Sequence, residues 1–389
     1  MKIAFFCIPA YGHTNPTLEV VKELVKRGNE VRYYSYDMMK ERIEATGAEF
    51  ISCDKYDPQM DLKPEDTKRV STDIGFSTGL LVNMTLAMDD AMIGEMECWK
   101  PDCIVSDSMA MWGKLVAFKL GVPFMSSTTT FAFNRYSSRI MKQSASQMFK
   151  MLFFIPKANR QLKRLSEKGY PVQNVLSIIQ NDNDTNTIVY TSPEFQPYSE
   201  TFSDKYTFVG PSIRETTDTP EKPKRKTVYI SLGTVVNTRP DFYRNCIRAF
   251  AQSEYDVIMS IGMETAPENL GVIPEHFTVV QSVEQIEVLQ KADVFLTHCG
   301  MNSVNEALYY GVPLVLFPQT TEQGGVAYRV NELGAGVYLK DDSLENIKGS
   351  ILEVLGTNAY RQAAEKISEG FHRCGGSKLA ADRIEALHQ

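Results

Sequence analysis

Short apolar, β-rich runs alternate with helical patterns along nearly the whole chain. The first run, Lys2–Pro9, is followed by apolar residues at helical spacing that end at Gly28. Nearly continuous hydrophobicity is typical of parallel strands covered on both faces, and strands that alternate with helices predict βαβ units. The pattern therefore predicts an α/β fold built on parallel sheets. Further strands are predicted at Glu30–Tyr36, Cys103–Asp107, Pro123–Thr128, Thr187–Ser192, Asp256–Gly262, Phe277–Val283, Val294–Cys299 and Pro313–Pro318.

The alternation pauses at residues 206–226, a stretch with three prolines and a cluster of charges. This composition is typical of an exposed interdomain linker, with a charged surface loop inside one domain as the alternative. A fresh strand then begins at Thr227. The succession of a strand, a helix, a Gly-Val-Pro triplet and another strand also occurs twice. The triplet ends at Pro123 in the first copy and at Pro313 in the second. We therefore predict two Rossmann-like domains, 1–205 and 227–372, followed by a helix within 373–389.

Composition narrows the class of protein. The chain has 389 residues, 43% of them hydrophobic, with 41 Lys and Arg against 48 Asp and Glu, for a formal charge of −7. This share of hydrophobic residues excludes a disordered chain, and the acidic balance argues against general binding of nucleic acid or anionic membranes. No run approaches the roughly 18 apolar residues of a membrane span. No signal-peptide pattern follows Met1, so a cytoplasmic protein is expected.

The metal-ligating residues do not form a recognisable site. The seven cysteines include no C-x-x-C pair, and Cys7, Cys103 and Cys299 lie in apolar runs typical of buried thiols. No His and Cys cluster has zinc spacing, and no loop matches the calcium pattern. We therefore predict no metal.

Two candidate catalytic residues lie at strand ends of the first domain. His13 is predicted in a loop, just before Asn15 as helix cap and Pro16 as first helical residue. A neutral imidazole there could act as a general base, or be a surface histidine without a role. Asp107 ends a strand, where it could orient a histidine, cap the next helix, or do both. Chain order alone does not show that the two meet.

The second domain carries candidates for binding a nucleotide. Ser231 and Thr234 follow its first strand, and His298, Gly300, Asn302 and Ser303 surround a strand-to-helix turn. The free N–H groups and dipole of a helix start favour a diphosphate without a metal. Glu306, one turn later, could accept hydrogen bonds from a ribose diol, and Glu322 and Gln323 could contact sugar hydroxyls. The alternatives are a capped helix with a packing glycine at Gly300 and a favourable first-turn acid at Glu322.

These motifs, in this order, resemble the UDP-glycosyltransferases of glycosyltransferase family 1, and in particular the bacterial macrolide-glycosyltransferase-like branch. The most specific matches are His298-Cys-Gly-Met-Asn-Ser303 with Glu306, then Gly311-Val-Pro313, then Glu322-Gln323. The resemblance implies the GT-B fold, in which two Rossmann-like domains face each other across a cleft. The first would bind the acceptor and the second the nucleotide sugar. The C-terminal helix would pack back on the first domain.

The resemblance also implies roles for single residues. His13 would be the general base and Asp107 its orienting partner. Phosphates would be held by His298 and the helix end at Asn302 and Ser303, with Ser231 and Thr234 nearby. Glu306 and Gln285 would hold the ribose, and Glu322 and Gln323 the transferred sugar. Ser282 stands where the family commonly has a base-stacking tryptophan, and Glu284 replaces a proline. Base recognition is therefore expected to use backbone contacts near Val283.

The expected activity is that of an inverting, metal-independent hexosyltransferase. It would move a hexose, glucose above all, from a UDP-sugar to a hydroxyl of a bulky apolar molecule such as a macrolide or polyphenol. The UDP-sugar is then a co-substrate, and no cofactor is expected. A nucleotide-sugar 2-epimerase of the same fold and a non-catalytic UDP-sugar sensor are alternatives. A dehydrogenase is disfavoured because no G-x-G-x-x-G fingerprint is present.

The resemblance implies that the region Phe131–Tyr170 lines the acceptor pocket, and its flexible Met and aromatic side chains suit bulky apolar acceptors. Ordinary helix core is the alternative, and a lipid acceptor at a membrane surface is a minor one. The residues concerned are Met141, Met148, Phe149, Met151, Phe153 and Phe154. A monomer or weak homodimer, with no stable membrane insertion, is expected.

Overall fold

A computed structural model describes residues 1–56, 66, 73–137, 145–170, 172, 183–214, 223–234 and 236–388, without the side chains of 74, 90 and 145–154. The chain divides into two compact units. The first comprises Met1–Arg139, Gln143–Ile213 and Cys374–Gln389, and the second Ile140–Lys142 and Arg214–Arg373.

The first unit is built on a seven-stranded sheet in the order β3-β2-β1-β4-β5-β6-β7, with every neighbouring pair parallel. Its strands are β1 Lys2–Phe6, β2 Glu30–Ser35, β3 Glu49–Ser52, β4 Cys103–Asp107, β5 Phe124–Thr128, β6 Thr187–Val189 and β7 Tyr206–Phe208. Its helices are α1 Tyr11–Lys26, α2 Lys40–Glu44, α3 Ile74–Trp99, α4 Met111–Leu120 and α5 Ala145–Glu167, with α12 Gly376–Glu385 at the end of the chain.

Helices bury both faces of this sheet, which explains the continuous apolar runs. Along β1, Ile3 and Phe5 pack in a core cluster with residues of α1 and α12. Their neighbours Ala4 and Phe6 point to the other face and pack with residues of α3, α4 and α5. All four side chains are fully buried. A parallel sheet covered in this way leaves its strand ends as the places where polar side chains reach solvent.

The second unit repeats the design with six strands, again all parallel, in the order β10-β9-β8-β11-β12-β13. Its strands are β8 Thr227–Ser231, β9 Asp256–Ser260, β10 Phe277–Val280, β11 Val294–Thr297, β12 Leu314–Leu316 and β13 Gly336–Tyr338. Its helices are α6 Pro240–Phe250, α7 Gln285–Leu289, α8 Met301–Tyr309, α9 Thr321–Glu332, α10 Leu344–Gly356 and α11 Asn358–His372. The two sheets confirm the predicted α/β architecture of two Rossmann-like units.

The C-terminal helix α12 packs on α1 in the first unit. Ala380, Ala381 and Ile384 are fully buried there. Arg27 at the end of α1 donates to Asp382 at 2.6 Å and to Glu385 at 2.9 Å. The backbone N–H of Gly376 also donates to the carbonyl of Val209. The helix predicted within 373–389 thus packs on the first unit in the structure.

Three strands differ from the sequence prediction. The pattern does not predict β3, β7 or β13, which are edge strands of three or four residues. Such strands are too short for a periodic signal. Because β7 pairs with β6, the first residues of the predicted linker 206–226 belong to the first sheet instead. Among the described residues, no helix is long and apolar enough to cross a membrane.

Candidate active site

Each sheet has one position where its strand order reverses. In the first sheet β1 lies beside β4, and in the second β8 lies beside β11. Helices on the two sides of such a point diverge, which leaves a crevice beyond the carboxyl ends of the strands. His13 follows β1 and Asp107 ends β4, while Ser231 ends β8 and His298 follows β11. These four candidates therefore lie at the two switch points.

His13 lies in the first turn of α1, not in a loop before the helix as predicted. The helix begins at Tyr11, and Asn15 does not cap it. A tight turn lets the carbonyl of Ala10 accept the backbone N–H of His13 at 3.0 Å and of Thr14 at 2.8 Å. The first helical turn therefore forms before Pro16, which lies inside α1. A rigid helix consequently positions the imidazole.

His13 and Asp107 meet directly. The His13 Nδ1 atom is 2.8 Å from Asp107 Oδ2, and the Asp107 side chain is buried while the imidazole is partly exposed. The other carboxylate oxygen of Asp107 accepts the backbone N–H of Met109 at 2.9 Å. Because a carboxylate accepts this hydrogen bond, Nδ1 carries the proton, and in the neutral imidazole Nε2 then holds the lone pair. This tautomer is the one that a general base needs.

Thr129 is a third member of this cluster, and the sequence does not predict it. Its Oγ1 atom lies 3.1 Å from His13 Nδ1, and the residue is buried. It immediately follows β5, which pairs with β4. The signal in the sequence is the run of hydroxyl residues from Ser126 to Thr130 at a strand end.

Cys7, which follows β1, is not a competing base. Burial and the charge of Asp107 raise the pKa of its thiol well above the ordinary value. The thiol therefore stays protonated at neutral pH, and its Sγ atom lies 3.7 Å from the hydroxyl of Thr14. Among the described groups of this switch point, His13 is the one suited to take a proton.

In the second unit, the turn between β11 and α8 is tight. Cys299 has a left-handed φ of 66°, and Gly300 is the N-cap of α8 without a side-chain cap bond. Left-handed non-glycine residues cost free energy and cluster at functional sites. The turn presents the open N–H groups of α8 at the strand end, as an anion site requires.

The imidazole of His298 fills the space left by two glycines. A Cβ atom on either Gly233 or Gly300 would lie 2.5 Å from the ring. Burial lowers the pKa of His298 to about 4, against a smaller opposing backbone hydrogen bond at Ser231. The ring is therefore neutral at pH 7, so it can contribute hydrogen bonds but no charge. Its Nδ1 atom is buried without a partner in the described part of the chain.

Glu306 is held by a network of amides. Asn302 donates to its Oε1 at 2.9 Å, and Gln285 donates to its Oε2 at 2.5 Å and to Ser303 at 3.2 Å. Burial raises the pKa of Glu306 to about 7, while the bonds from Gln285 and Asn302 oppose that rise. The structure thus brings four predicted residues together, with the Asn302 amide directed at Glu306.

The remaining candidates differ in exposure. The Ser231 hydroxyl accepts the Gly233 N–H at 3.2 Å, Thr234 is exposed, and Val283 is half-buried. Glu284, which departs from the family pattern, pairs with Arg214 at 3.2 Å on the surface. The loop expected to hold the base is therefore linked to the start of the second unit.

Gln323 has a structural role that limits the predicted one. With Thr320 it forms a capping box at the start of α9, and its Oε1 accepts the backbone N–H of Gln319 at 2.7 Å. These bonds occupy Oε1, so the Nε2 group is the part of the Gln323 amide that they leave for a sugar hydroxyl. Glu322 lies exposed in the first turn of the same helix.

The two other predictions concern metals and the acceptor pocket. No group of three or more His, Cys, Asp or Glu side chains within the described residues could hold a metal ion. Met141 and the side chains of Met148, Phe149, Met151, Phe153 and Phe154 lie outside the described residues.

Comparison with known proteins agrees with this architecture. Two Rossmann-like units of this kind make up the GT-B fold, which the structural neighbours share. The model of the erythromycin biosynthesis protein CIII-like C-terminal domain matches residues 244–374. The NDP-glycosyltransferase YjiC of Bacillus licheniformis is 34% identical over 99% of this chain and 97% of its own. The demethyllactenocin mycarosyltransferase of Streptomyces fradiae is 30% identical over 99% of this chain and 86% of its own.

Solved structures agree as well. The kitacinnamycin glycotransferase superposes with a TM-score of 0.84 at 25% identity, covering 99% of this chain and 98% of its own. The chain belongs to glycosyltransferase family 1, in its macrolide-glycosyltransferase-like branch. It is therefore a sugar-transferring enzyme of the natural-product and UDP-glucosyltransferase type.

Proposed function

We propose that this enzyme transfers a hexose, glucose above all, from a UDP-sugar to a hydroxyl of a bulky apolar small molecule. The reaction inverts the anomeric configuration and uses neither a metal nor a cofactor, since the UDP-sugar is a co-substrate. The observation that carries the proposal is the His13–Asp107 pair, with Nδ1 and Oδ2 2.8 Å apart at the switch point of the first sheet.

The chemistry of the pair sets the order of events. His13 Nε2 takes the proton of the acceptor hydroxyl while the oxygen attacks the anomeric carbon. The bond between that carbon and the diphosphate oxygen breaks on the opposite face, so UDP leaves and the configuration inverts. Asp107 stabilises the imidazolium that forms. A positioned general base of this kind typically contributes about 10²–10⁴-fold to the rate.

The second unit supports the donor half of the proposal. The N-terminus of α8 and the neutral imidazole of His298 offer hydrogen-bond donors to the diphosphate, whose charge grows as UDP leaves. Glu306 has two oxygens suited to a ribose diol, with Gln285 beside it. Ser231 and Thr234 would support the phosphates, Val283 the base, and Glu322 with the Nε2 of Gln323 the sugar.

The acceptor class rests on sequence and on relatives. Met and Phe residues between Phe131 and Tyr170 favour a bulky apolar acceptor. The relatives named for demethyllactenocin and kitacinnamycin support a natural product. Macrolides and polyphenols are therefore the first acceptors to test.

The test is UDP release from UDP-glucose, UDP-galactose and UDP-N-acetylglucosamine with macrolide and phenolic acceptors. Products are identified by mass, and the anomeric configuration by NMR. We expect acceptor-dependent UDP release, greatest with UDP-glucose, unchanged by a chelator, with an inverted product. Conversion of the donor without an acceptor would instead indicate a 2-epimerase. Donor binding with no release of UDP in the presence of any of these acceptors would indicate a sensor.

A further inference from the structure

Tyr229, in the middle of β8, is hydrogen-bonded to one of the predicted ribose-binding residues. Its hydroxyl donates to Gln285 Oε1 at 3.1 Å, and the same amide donates from Nε2 to Glu306 and Ser303. The sequence alone predicts no role for Tyr229, because a tyrosine in an apolar strand is usually a core residue.

The chemistry of the network fixes the polarity of each bond. An ionised Glu306 can only accept hydrogen bonds, so the NH₂ group of Gln285 must face it. The carbonyl oxygen of Gln285 then faces Tyr229, whose hydroxyl must donate. Burial raises the pKa of the Tyr229 hydroxyl far above neutrality, against a weaker opposing bond with the Ser231 side chain. The hydroxyl therefore keeps the proton that this bond requires.

The position of the Tyr229 hydroxyl is itself fixed by packing. The side chain is buried, and its ring stacks on Phe295 of the neighbouring strand with centroids 4.4 Å apart. The two residues are register partners between β8 and β11. A rigid donor on the central strand thus prevents the Gln285 amide from turning over.

We propose that Tyr229 is a positioning residue that locks the Gln285 amide, aims Glu306 at the ribose diol, and thereby favours ribonucleotide over 2′-deoxyribonucleotide donors. The inference rests on the proposed donor site around Glu306. It extends that proposal because the discrimination is assigned to a residue that does not touch the donor. If the amide is free to turn, its oxygen opposes the carboxylate and Glu306 shifts away from the diol.

The test compares the Kd values of UDP and 2′-deoxy-UDP by calorimetry in the full chain. The ratio of the Kd for 2′-deoxy-UDP to the Kd for UDP measures the preference for ribose. For Tyr229→Phe we expect this ratio to fall about five- to tenfold, which corresponds to the net free energy of one hydrogen bond. The loss should lie in UDP binding, with 2′-deoxy-UDP binding nearly unchanged. Tyr243→Phe is the matched control, because the Tyr243 hydroxyl is buried without a partner in the described structure.

A double-mutant cycle separates positioning from a general structural effect. In a Gln285→Ala background, Tyr229→Phe should change the Kd ratio no further, since the amide that it orients is gone. An unchanged ratio in Tyr229→Phe, or equal weakening of both nucleotides, would overturn the inference. Failure of the donor site itself has a different signature, which is wild-type protein that binds neither nucleotide.

Discussion

The imidazole of His13 and the carboxylate of Asp107 lie 2.8 Å apart although they are 94 positions apart in the chain. Their meeting follows from the strand order, because β1 and β4 are neighbours at the switch point of the first sheet. The buried carboxylate costs free energy unless it is paired, and it has His13 on one oxygen and the Met109 N–H on the other. The pair therefore has the geometry of a base and its orienting acid.

Asp107→Asn should lower turnover with little effect on donor binding. A neutral amide cannot stabilise the imidazolium, and its NH₂ group favours the wrong tautomer of His13. We expect kcat to fall roughly 10²–10³-fold while the Kd for UDP stays unchanged. Steady-state kinetics with a phenolic acceptor, together with UDP calorimetry, measure both quantities.

Asp204→Asn, which changes an exposed carboxylate of the same unit, is the control and should have wild-type kinetics. A kcat for Asp107→Asn within twofold of wild type would remove the pair from the mechanism. Parallel loss of UDP affinity would point to damage beyond the first unit.

Thr129→Val should reduce turnover by a smaller factor. Valine has nearly the same volume, so the main change is loss of the hydroxyl 3.1 Å from His13 Nδ1. Nδ1 has one proton, which Asp107 accepts, so the hydroxyl can only share it. The lower end of the net worth of a hydrogen bond therefore predicts a fall in kcat of about two- to threefold. Added to Asp107→Asn, the substitution should cost little more, because both act on the same ring. An effect confined to the KM of the acceptor would assign Thr129 to acceptor binding instead.

The predictability of the fold varies with the length and burial of each element. Central strands such as β1 and β4 are recognisable because both faces are covered and their residues are uniformly apolar. The edge strands β3, β7 and β13 carry too few residues for a pattern. Predicted strands such as Lys2–Pro9 also run past their ends, because Ile8 and Pro9 are apolar residues of the loop that follows β1.

The candidate site is predictable where a local motif carries it and not where the sheet assembles it. The turn around His298 and Gly300 is a contiguous motif, whereas Thr129 and Tyr229 reach their partners through strand register. The start of α1 was misplaced because Asn15-Pro16 is a strong capping signal, yet the preceding turn at Ala10 closes first. The side-chain oxygen of Gln323 likewise accepts a hydrogen bond in a helix cap that the sequence pattern does not predict.

Gly300→Ala should weaken donor binding without disturbing the backbone. The φ of Gly300 is −60°, which alanine adopts readily, but the new Cβ atom would lie 2.5 Å from His298 Nε2. The imidazole must therefore move from the mouth of α8. We expect the Kd for UDP to rise at least about tenfold, which corresponds to one charge-assisted hydrogen bond.

The matched control is Gly349→Ala on α10, where a Cβ atom meets nothing within 4 Å. In a helix interior that change should stabilise the fold by about 0.5–1 kcal/mol and leave UDP binding unaltered. Wild-type UDP affinity in Gly300→Ala would show that His298 does not contribute to phosphate binding.

Glu306 makes the stability of the second unit depend on pH. Burial raises the pKa of this carboxyl to about 7, above its unfolded value near 4.5. Between these values the folded state holds more protons than the unfolded state, so stability falls as pH rises through this window. The loss is on the order of 3 kcal/mol and is complete above the folded pKa. The proposed ribose contact predicts the opposite trend for donor binding, because an ionised carboxylate accepts hydrogen bonds from ribose hydroxyls best.

Glu306→Gln should remove both trends. Its unfolding free energy, measured with urea from pH 5 to 8, should fall less steeply than that of wild type, whatever its absolute level. The affinity for UDP-glucose, whose diphosphate does not titrate in this range, should rise with pH in wild type and stay flat in the variant. Identical slopes in the two proteins would show that Glu306 is ionised throughout, in which case its amide partners and solvent outweigh burial.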